Sequence, residues 1–258
     1  MAEISEIKSS DYAIECKEIT KTFGTVVAND HVDLSVKYGE ILALLGENGS
    51  GKTTLMNMLS GIYHPDSGSI NVLGRHAVIN SPADSIALGI GMIHQHFKLV
   101  EAFSALDNII AGTPGKLKKR SALREDISSI SKKLGLNVDL NKKIYNMSVS
   151  EKQTVEILKV LYRGAKILIL DEPTAVLTPQ ETEKLFDMLR IMRSEGCAII
   201  IITHKLNEVM AISDRVTILR KGKSVETVLT AETNEKKLTE LMVGKPVSLS
   251  IERPEPID

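Results

Sequence analysis

Gly46-Glu47-Asn48-Gly49-Ser50-Gly51-Lys52-Thr53-Thr54 decides how the rest of the chain is read. An apolar run, Ile41-Leu42-Ala43-Leu44-Leu45, enters it, and a helical run, Thr54-Leu55-Met56-Asn57-Met58-Leu59, leaves it. Strand, Gly-rich loop and helix, with G-x-x-x-x-G-K-[ST] across the junction, make a phosphate-binding loop. The glycines let successive backbone N–H groups curl around a triphosphate without Cβ clashes, and the helix N-terminus adds partial positive charge. Lys52 is expected to reach the β- and γ-phosphates, and the Thr53 hydroxyl to ligate Mg²⁺. An ordinary Gly-rich turn needs neither flanking element. The expectation is a chain that binds a nucleoside triphosphate.

Composition narrows the class without identifying it. At 258 residues and 43% apolar content the chain can bury a substantial core, as one elaborate domain or two intimate subdomains. A net charge of −1 gives no global electrostatic case for nucleic acid. The absence of tryptophan and the scarcity of other aromatics disfavour a base-stacking surface. Aliphatic runs such as Cys197-Ala198-Ile199-Ile200-Ile201-Ile202 are strand length, short of the ~20 residues of a membrane helix. Met1-Ala2-Glu3-Ile4-Ser5-Glu6 lacks the basic and apolar regions of a signal peptide. Cys16 and Cys197 have no metal spacing and read as buried, reduced thiols of a cytosolic protein.

Along the chain, strands and helices alternate with one long interruption. Tyr12 to Ile19 and His31 to Val36 have period-two character and bracket Thr20-Lys21-Thr22-Phe23-Gly24, read as a turn carrying one aromatic. Asp66-Ser67-Gly68 reads as a turn, Ser69 to Leu73 as a strand, and Gly89 to His94 as a buried strand ending at Gln95. Residues 97–163 switch to helical spacing, with Leu123, Ile127, Ile130 and Leu134 on one face and a second amphipathic run from Val149 to Leu161. Alternation resumes with Lys166 to Leu170, Pro179 to Arg193 and Ala198 to Thr203. Val216 to Arg220 and Val225 to Leu229 flank a hairpin turn at Lys221-Gly222-Lys223. The tail from Ile251 to Asp258 is proline-rich and charged, like a linker. The expected architecture is a parallel α/β core with an inserted helical lobe.

A second phosphate-site element follows at Ile167-Leu168-Ile169-Leu170-Asp171-Glu172. A buried strand delivers Asp171 to the C-terminal edge of the sheet, where ligands bind in such folds. There Asp171 can hold Mg²⁺ and complete the site begun by Thr53. Glu172, one residue on, is placed to polarise or deprotonate a water in line with the γ-phosphate. The pair alone would read as a helix cap or a solvated acidic pair; beside a phosphate loop it points to metal-assisted hydrolysis.

With these motifs in place, the chain from about Tyr12 to Gly244 resembles the nucleotide-binding domains of ATP-binding cassette (ABC) transporters. The resemblance implies an α/β P-loop NTPase core with a mainly parallel sheet, an N-terminal antiparallel β subdomain and an inserted α-helical subdomain. It divides one domain into core at 12–96 and 164–247, a helical subdomain at 97–163 and a linker-like tail at 248–258. It implies that Phe23 stacks on adenine, the other reading being a core Phe. Gln95 matches the glutamine that senses Mg²⁺ and γ-phosphate, and His204 the switch histidine that contacts γ-phosphate and the attacking water. Metal contacts would come from Thr53, Gln95 and Asp171, nucleotide contacts from Phe23, Gly46 to Thr54, Gln95, Ser148 and Ser150, and catalysis from Glu172 and His204. The implied cofactors are ATP and Mg²⁺.

The departures carry information. Where the family has Leu-Ser-Gly-Gly-Gln at the start of a helix, clamping ATP held by the opposite domain, this chain has Met147-Ser148-Val149-Ser150-Glu151. Ser148 is retained, and its hydroxyl would reach a γ-phosphate. Ser150 replaces a glycine and adds a side chain where close backbone approach is needed. Thr154 stands where many relatives place Arg. Thr178 replaces an Asp that connects the two sites of the dimer, although Thr178-Pro179-Gln180-Glu181 is also a capping box with proline at the first helical position. The combination predicts asymmetric sites, with the isolated chain's activity weak or absent.

Val155 to Ala165, followed by Asp171 to Glu181, resembles the nucleoside-uptake branch of simple-sugar-type importers, in which one polypeptide carries two tandem ATPase domains; this chain looks like the first. Ribose or galactose import is the close alternative. The implied partners are a second nucleotide-binding domain, transmembrane permease subunits and, indirectly, a substrate-binding protein, with no nucleic acid and a place on the cytoplasmic face of the membrane. A soluble ABC ATPase on ribosomes or DNA would need basic tracts, for which Lys116-Leu117-Lys118-Lys119-Arg120 is the candidate. A regulatory subunit that never hydrolyses is opposed by Glu172 and His204.

Overall fold

The computed structural model describes residues 11–113 and 118–246. The fold grows from strands with no polar face. β1 is Tyr12–Phe23, β2 Val26–Lys37 and β3 Ile41–Leu45; α1, Lys52–Leu59, follows the phosphate loop. β4 (Ser67–Val72), β5 (Arg75–Ala77), α2 (Pro82–Ala87) and β6 (Ile90–Ile93) come next. Three helices then run before the sheet resumes: α3 (Ala105–Ile110), α4 (Arg120–Lys133) and α5 (Val149–Tyr162). The rest alternates: β7 (Ile167–Asp171), α6 (Pro179–Ser194), β8 (Ala198–Ile202), α7 (Leu206–Ile212), β9 (Arg215–Arg220), β10 (Lys223–Leu229) and α8 (Glu235–Val243).

These strands make two sheets. The larger has the order β10-β9-β3-β8-β7-β6 and is parallel except for β10 at its edge. β3 and β8 are buried at every residue, as expected of parallel strands covered on both faces. Alternate residues of β3, β7 and β8 enter different cores. Leu42, Leu44, Ile169, Ile200 and Ile202 join α1 and the smaller sheet, whereas Leu168, Leu170, Ile199 and Ile201 join Leu185, Phe186 and Leu189 of α6. Each such aliphatic side chain contributes about 1.5–3 kcal/mol on burial. The smaller sheet, β2-β1-β4-β5, is antiparallel.

β1 and β2 extend beyond the alternation in their sequence. β1 continues through Thr20-Lys21-Thr22 to Phe23, which are strand and not turn, and β2 begins at Val26 and not at His31. Register shifts between Cys16 and Ile19 and between Ile19 and Lys21 break the period. Glu18 (φ 53°) and His31 (φ 52°) sit in the left-handed region there, as bulged strands require. Ser67 and Gly68 likewise belong to β4 and not to a turn. The β9–β10 hairpin turns at Lys221 and Gly222, with φ 51° and 79°. Two positive-φ residues define a type I′ turn, whose twist matches that of the flanking strands.

α3, α4 and α5 enclose a core of their own, including Leu106, Ile109, Leu123, Ile127, Val155 and Leu158. α5 is the link: Ile157 and Val160 belong to the core against α6. At Gly91 of β6 an added Cβ would lie 2.8 Å from Val160 Cβ, so this glycine lets α5 dock on the sheet edge. Cys16 and Cys197 are free, and burial pushes both thiols up to about 12, which keeps them protonated and unreactive. No helix among the described residues is long and apolar enough to cross a membrane.

Candidate functional site

The C-terminal ends of β3 and β7 bring the site together. After β3, Gly46 passes so close to β9 that a Cβ would lie 2.3 Å from the Leu219 carbonyl oxygen. At Gly51 (φ 101°) a Cβ would meet the Ala28 carbonyl oxygen at 2.4 Å. Glu47, Asn48, Gly49 and Ser50 make the turn between them, with Ser50 N–H donating to the Glu47 carbonyl at 3.1 Å. Gly51 caps α1 with left-handed backbone and no side-chain acceptor, so the first N–H groups of α1, at Lys52, Thr53 and Thr54, keep their donors for a ligand. The Lys52 ammonium folds back over the loop, donating to the Gly46 carbonyl at 2.7 Å and the Glu47 carbonyl at 2.9 Å. Burial lowers its pKa, while the charges of Glu172 and Asp171 work the other way. Behind the loop, the fully buried Asn29 donates to the Gly51 carbonyl at 3.3 Å.

Asp171 ends β7. Burial raises its pKa most, the Glu172 charge adds to this, and His94 and Lys52 oppose it. Glu172 follows with φ 47°, a left-handed conformation unusual for a non-glycine residue. Its N–H donates to the Ile202 carbonyl at 2.9 Å, carrying the β7–β8 ladder one step past the strand. His204, just beyond β8, places Nδ1 2.8 Å from Glu172 Oε1. Glu172 Oε2 is buried with no hydrogen-bond partner among the described residues.

The remaining residues singled out by sequence are more dispersed. Phe23 is exposed at the end of β1, its ring edge-on to Tyr63 at 5.1 Å between centroids and with Lys21 Nζ 5.5 Å away. The core-Phe reading is therefore set aside. Gln95 lies just past β6 and is exposed. Ser148 and Ser150 stand apart from the phosphate loop, at the start of α5. There Ser148 Oγ accepts from Glu151 N–H at 3.3 Å, and Glu151 Oε2 accepts from Ser148 N–H at 2.7 Å, a complete capping box. Ser148 Oγ and Ser150 Oγ are 3.3 Å apart. Thr178 caps α6 in the same way with Glu181. Lys118 pairs with Asp126 and Arg120 with Asp107, so these two cations of the basic tract already face acids; Lys116 and Leu117 lie outside the described residues, as does the tail from 247.

Sequence reading missed two groups. His94 sits one step beyond the Ile93–Leu170 pairing, level with Asp171; burial and then Lys98 lower its pKa, while Asp171 and Glu156 raise it. Its place beside Gln95 was the only available signal. The other is a set of polar side chains around the turn after Glu172: buried Gln153, Thr174 and Glu208 with the partly buried Lys205.

The residues present fit Mg·ATP. The cradle excludes any Cβ at Gly46 and Gly51, the α1 N-terminus is uncapped, and a buried carboxylate oxygen of Glu172 has no protein partner. No cluster of three or more His, Cys, Asp or Glu among the described residues would hold a metal alone.

A family model described as ABC transporter matches residues 29–175. The nucleoside import ATP-binding protein NupA of Lactococcus lactis is 48% identical over 248 residues, covering 95% of this chain and 49% of its own length. The guanosine import ATP-binding protein NupO of Bacillus subtilis is 49% identical over 94% of this chain and 48% of its own. The ribose import ATP-binding protein RbsA 1 of Streptomyces avermitilis is 42% identical over 97% and 48%. The chain thus spans about half the length of the curated relatives it matches. Among solved structures, CbiO1 of Clostridium perfringens, part of the ABC transporter complex cbiONQ, superposes with a TM-score of 0.77 at 28% identity over 91% of this chain and 96% of its own. The ADP conformation of the cassette MJ1267 gives a TM-score of 0.80 at 24% identity over 91% and 99%, a likeness of fold.

Proposed function

The chain belongs to the ABC transporter family as an ATPase domain, and from that premise we propose that it powers a membrane importer for nucleosides by binding and hydrolysing ATP against a second cassette. The observation that carries the catalytic part is the convergence of Lys52, Asp171, Glu172 and His204 at one sheet edge. Lys52 releases the Gly46 and Glu47 carbonyls to meet the β- and γ-phosphates. Thr53, Asp171 and Gln95 would hold Mg²⁺, which would neutralise charge on the phosphate oxygens. Glu172 takes the proton of the attacking water, and His204 fixes the Glu172 carboxylate while facing the γ-phosphate. Phe23 supplies a ring face for the base.

The protein that contains this chain supplies a second cassette, and the pair sits on permease subunits at the cytoplasmic face of the membrane. A substrate-binding protein delivers solute to that assembly. ATP acts as glue between the phosphate loop of one cassette and the helix start of the other, so closure follows from its higher affinity for the closed state. The two sites differ: the site that holds ATP on this chain's own loop hydrolyses, and the site clamped by Ser148 to Ser150 mainly binds. Nucleosides are favoured as solute because NupA and NupO, at 48% and 49% identity, exceed the ribose-import relative at 42%. The test is uptake of labelled nucleoside and labelled ribose by cells expressing the full-length protein with its permease. Nucleoside uptake lost on Lys52→Ala is expected. Ribose uptake in its place, or nucleoside uptake indifferent to Lys52→Ala, would overturn the assignment.

A further inference from the structure

The turn that follows β7 is gripped from two sides by side chains that the steps above do not use, with Gln153, Thr174 and Glu208 buried and Lys205 partly so. From α5, Gln153 Nε2 donates to the Pro173 carbonyl at 2.8 Å, and Gln153 is 4% exposed. From the other side, Thr174, 1% exposed, donates its hydroxyl to Glu208 Oε2 at 2.6 Å. Lys205 Nζ donates to both the Thr174 carbonyl and the Thr174 hydroxyl at 3.1 Å, and lies 3.0 Å from Glu208 Oε1. Lys205 is itself held at the turn before α7, where its N–H donates to Thr203 Oγ1 at 3.1 Å. Gln153 holds Pro173, and Lys205 and Glu208 hold Thr174, the two residues directly after Glu172.

Buried polar groups of this kind are costly unless paired, and fully paired they fix one local geometry. The geometry here needs fixing. Glu172 has φ 47°, a conformation that persists only when its surroundings impose it. Its carboxylate must also meet His204 Nδ1 on one side while its other oxygen stays free of protein partners. A relaxation of Pro173 or Thr174 would rotate the Glu172 backbone and swing the carboxylate off line.

We propose that Gln153, Thr174, Lys205 and Glu208 are positioning residues that hold the Glu172 turn in its catalytic conformation, with Gln153 making α5 a lever on it. α5 begins at Ser148–Ser150 and carries Gln153 in the next turn. In the pairing proposed above, a shift of α5 would pull on the Pro173 carbonyl and re-aim Glu172 of this chain. The inference rests on the reading of Glu172 as the residue that activates water.

The test is steady-state ATPase kinetics and separate Mg·ATP binding on the full-length protein assembled with its partner cassette. The variants are Gln153→Met, Thr174→Val, Thr174→Ser and Lys205→Met, with Glu172→Gln as control. Gln153→Met, Thr174→Val and Lys205→Met are expected to lower kcat about tenfold or more, with KM and Mg·ATP affinity within about twofold. Thr174→Ser, which keeps the hydroxyl, should stay near wild type. Unchanged kcat in all four with Glu172→Gln inactive would overturn the positioning role alone. Losses of kcat that only track lost nucleotide binding and lowered Tm would reduce these residues to fold support and overturn it too. An active Glu172→Gln would instead remove the reading on which the inference stands.

Discussion

Two helix N-termini in this molecule face opposite ways in their chemistry. α1 opens at Gly51 with left-handed backbone and no side-chain cap, and its first N–H groups look into the cradle of the phosphate loop. α5 opens at Ser148 with both halves of a capping box closed, and Lys142 Nζ donates to the two Glu151 oxygens at 2.7 and 2.9 Å. Both ends carry the partial positive charge of a helix N-terminus. The first leaves all three opening N–H groups without a side-chain acceptor, whereas the second closes its Ser148 and Glu151 N–H groups on each other's side chains. The contrast teaches that a helix start becomes a phosphate site through what its neighbours withhold, and the proposed asymmetry of the two sites rests on it.

The strongest way to break this comparison is at α1. Lys52→Ala removes a charged donor from the phosphate cradle, at a cost of about 1.5–3 kcal/mol of nucleotide binding, which is roughly ten- to hundredfold in affinity. Titration of Mg·ATP by fluorescence or calorimetry reads this; undiminished affinity would mean that Lys52 stays on the Gly46 and Glu47 carbonyls in the bound state. The smaller effect lies at α5. Val149→Gly with Ser150→Gly strips two side chains from the helix start while leaving the Ser148–Glu151 box in place. It is expected to raise turnover at the site this chain clamps severalfold in the assembled pair, at a helix cost of at most about 1 kcal/mol per glycine. Unchanged turnover in the assembled pair would show that the side chains at 149 and 150 are not what limits that site.

Legibility in the sequence followed the same division. The phosphate loop, the aliphatic run into Asp171 and the Lys221-Gly222 turn are encoded within a few consecutive residues, because each is a local demand on backbone or strand burial. β1 and β2 were legible only in part: the bulges at Glu18 and His31 shift the register and erase the alternation on which strand reading depends. Thr178 was readable both as a lost cross-site Asp and as a cap; the structure places it in a cap with Glu181. The grip on Glu172 was illegible, because Gln153, Thr174 and Glu208 come from α5, the turn after β7 and α7, and only the packed fold joins them. His94 gained its meaning from pairing between β6 and β7, a register no single segment records.

On this reading the chain's own loop and acids suffice for hydrolysis, while the helix start it offers, with its Ser148–Glu151 box closed, clamps ATP poorly. ATPase rate against concentration of the chain alone, with Glu172→Gln as control and Mg·ATP binding verified separately, addresses it most directly. The account predicts clear Mg·ATP binding with a flat, low rate per chain at every concentration, since two copies would meet through capped α5 ends. A Glu172-dependent rate rising more steeply than linearly with concentration would contradict it, by showing that the chain pairs with itself and that its α5 start clamps ATP well enough for hydrolysis.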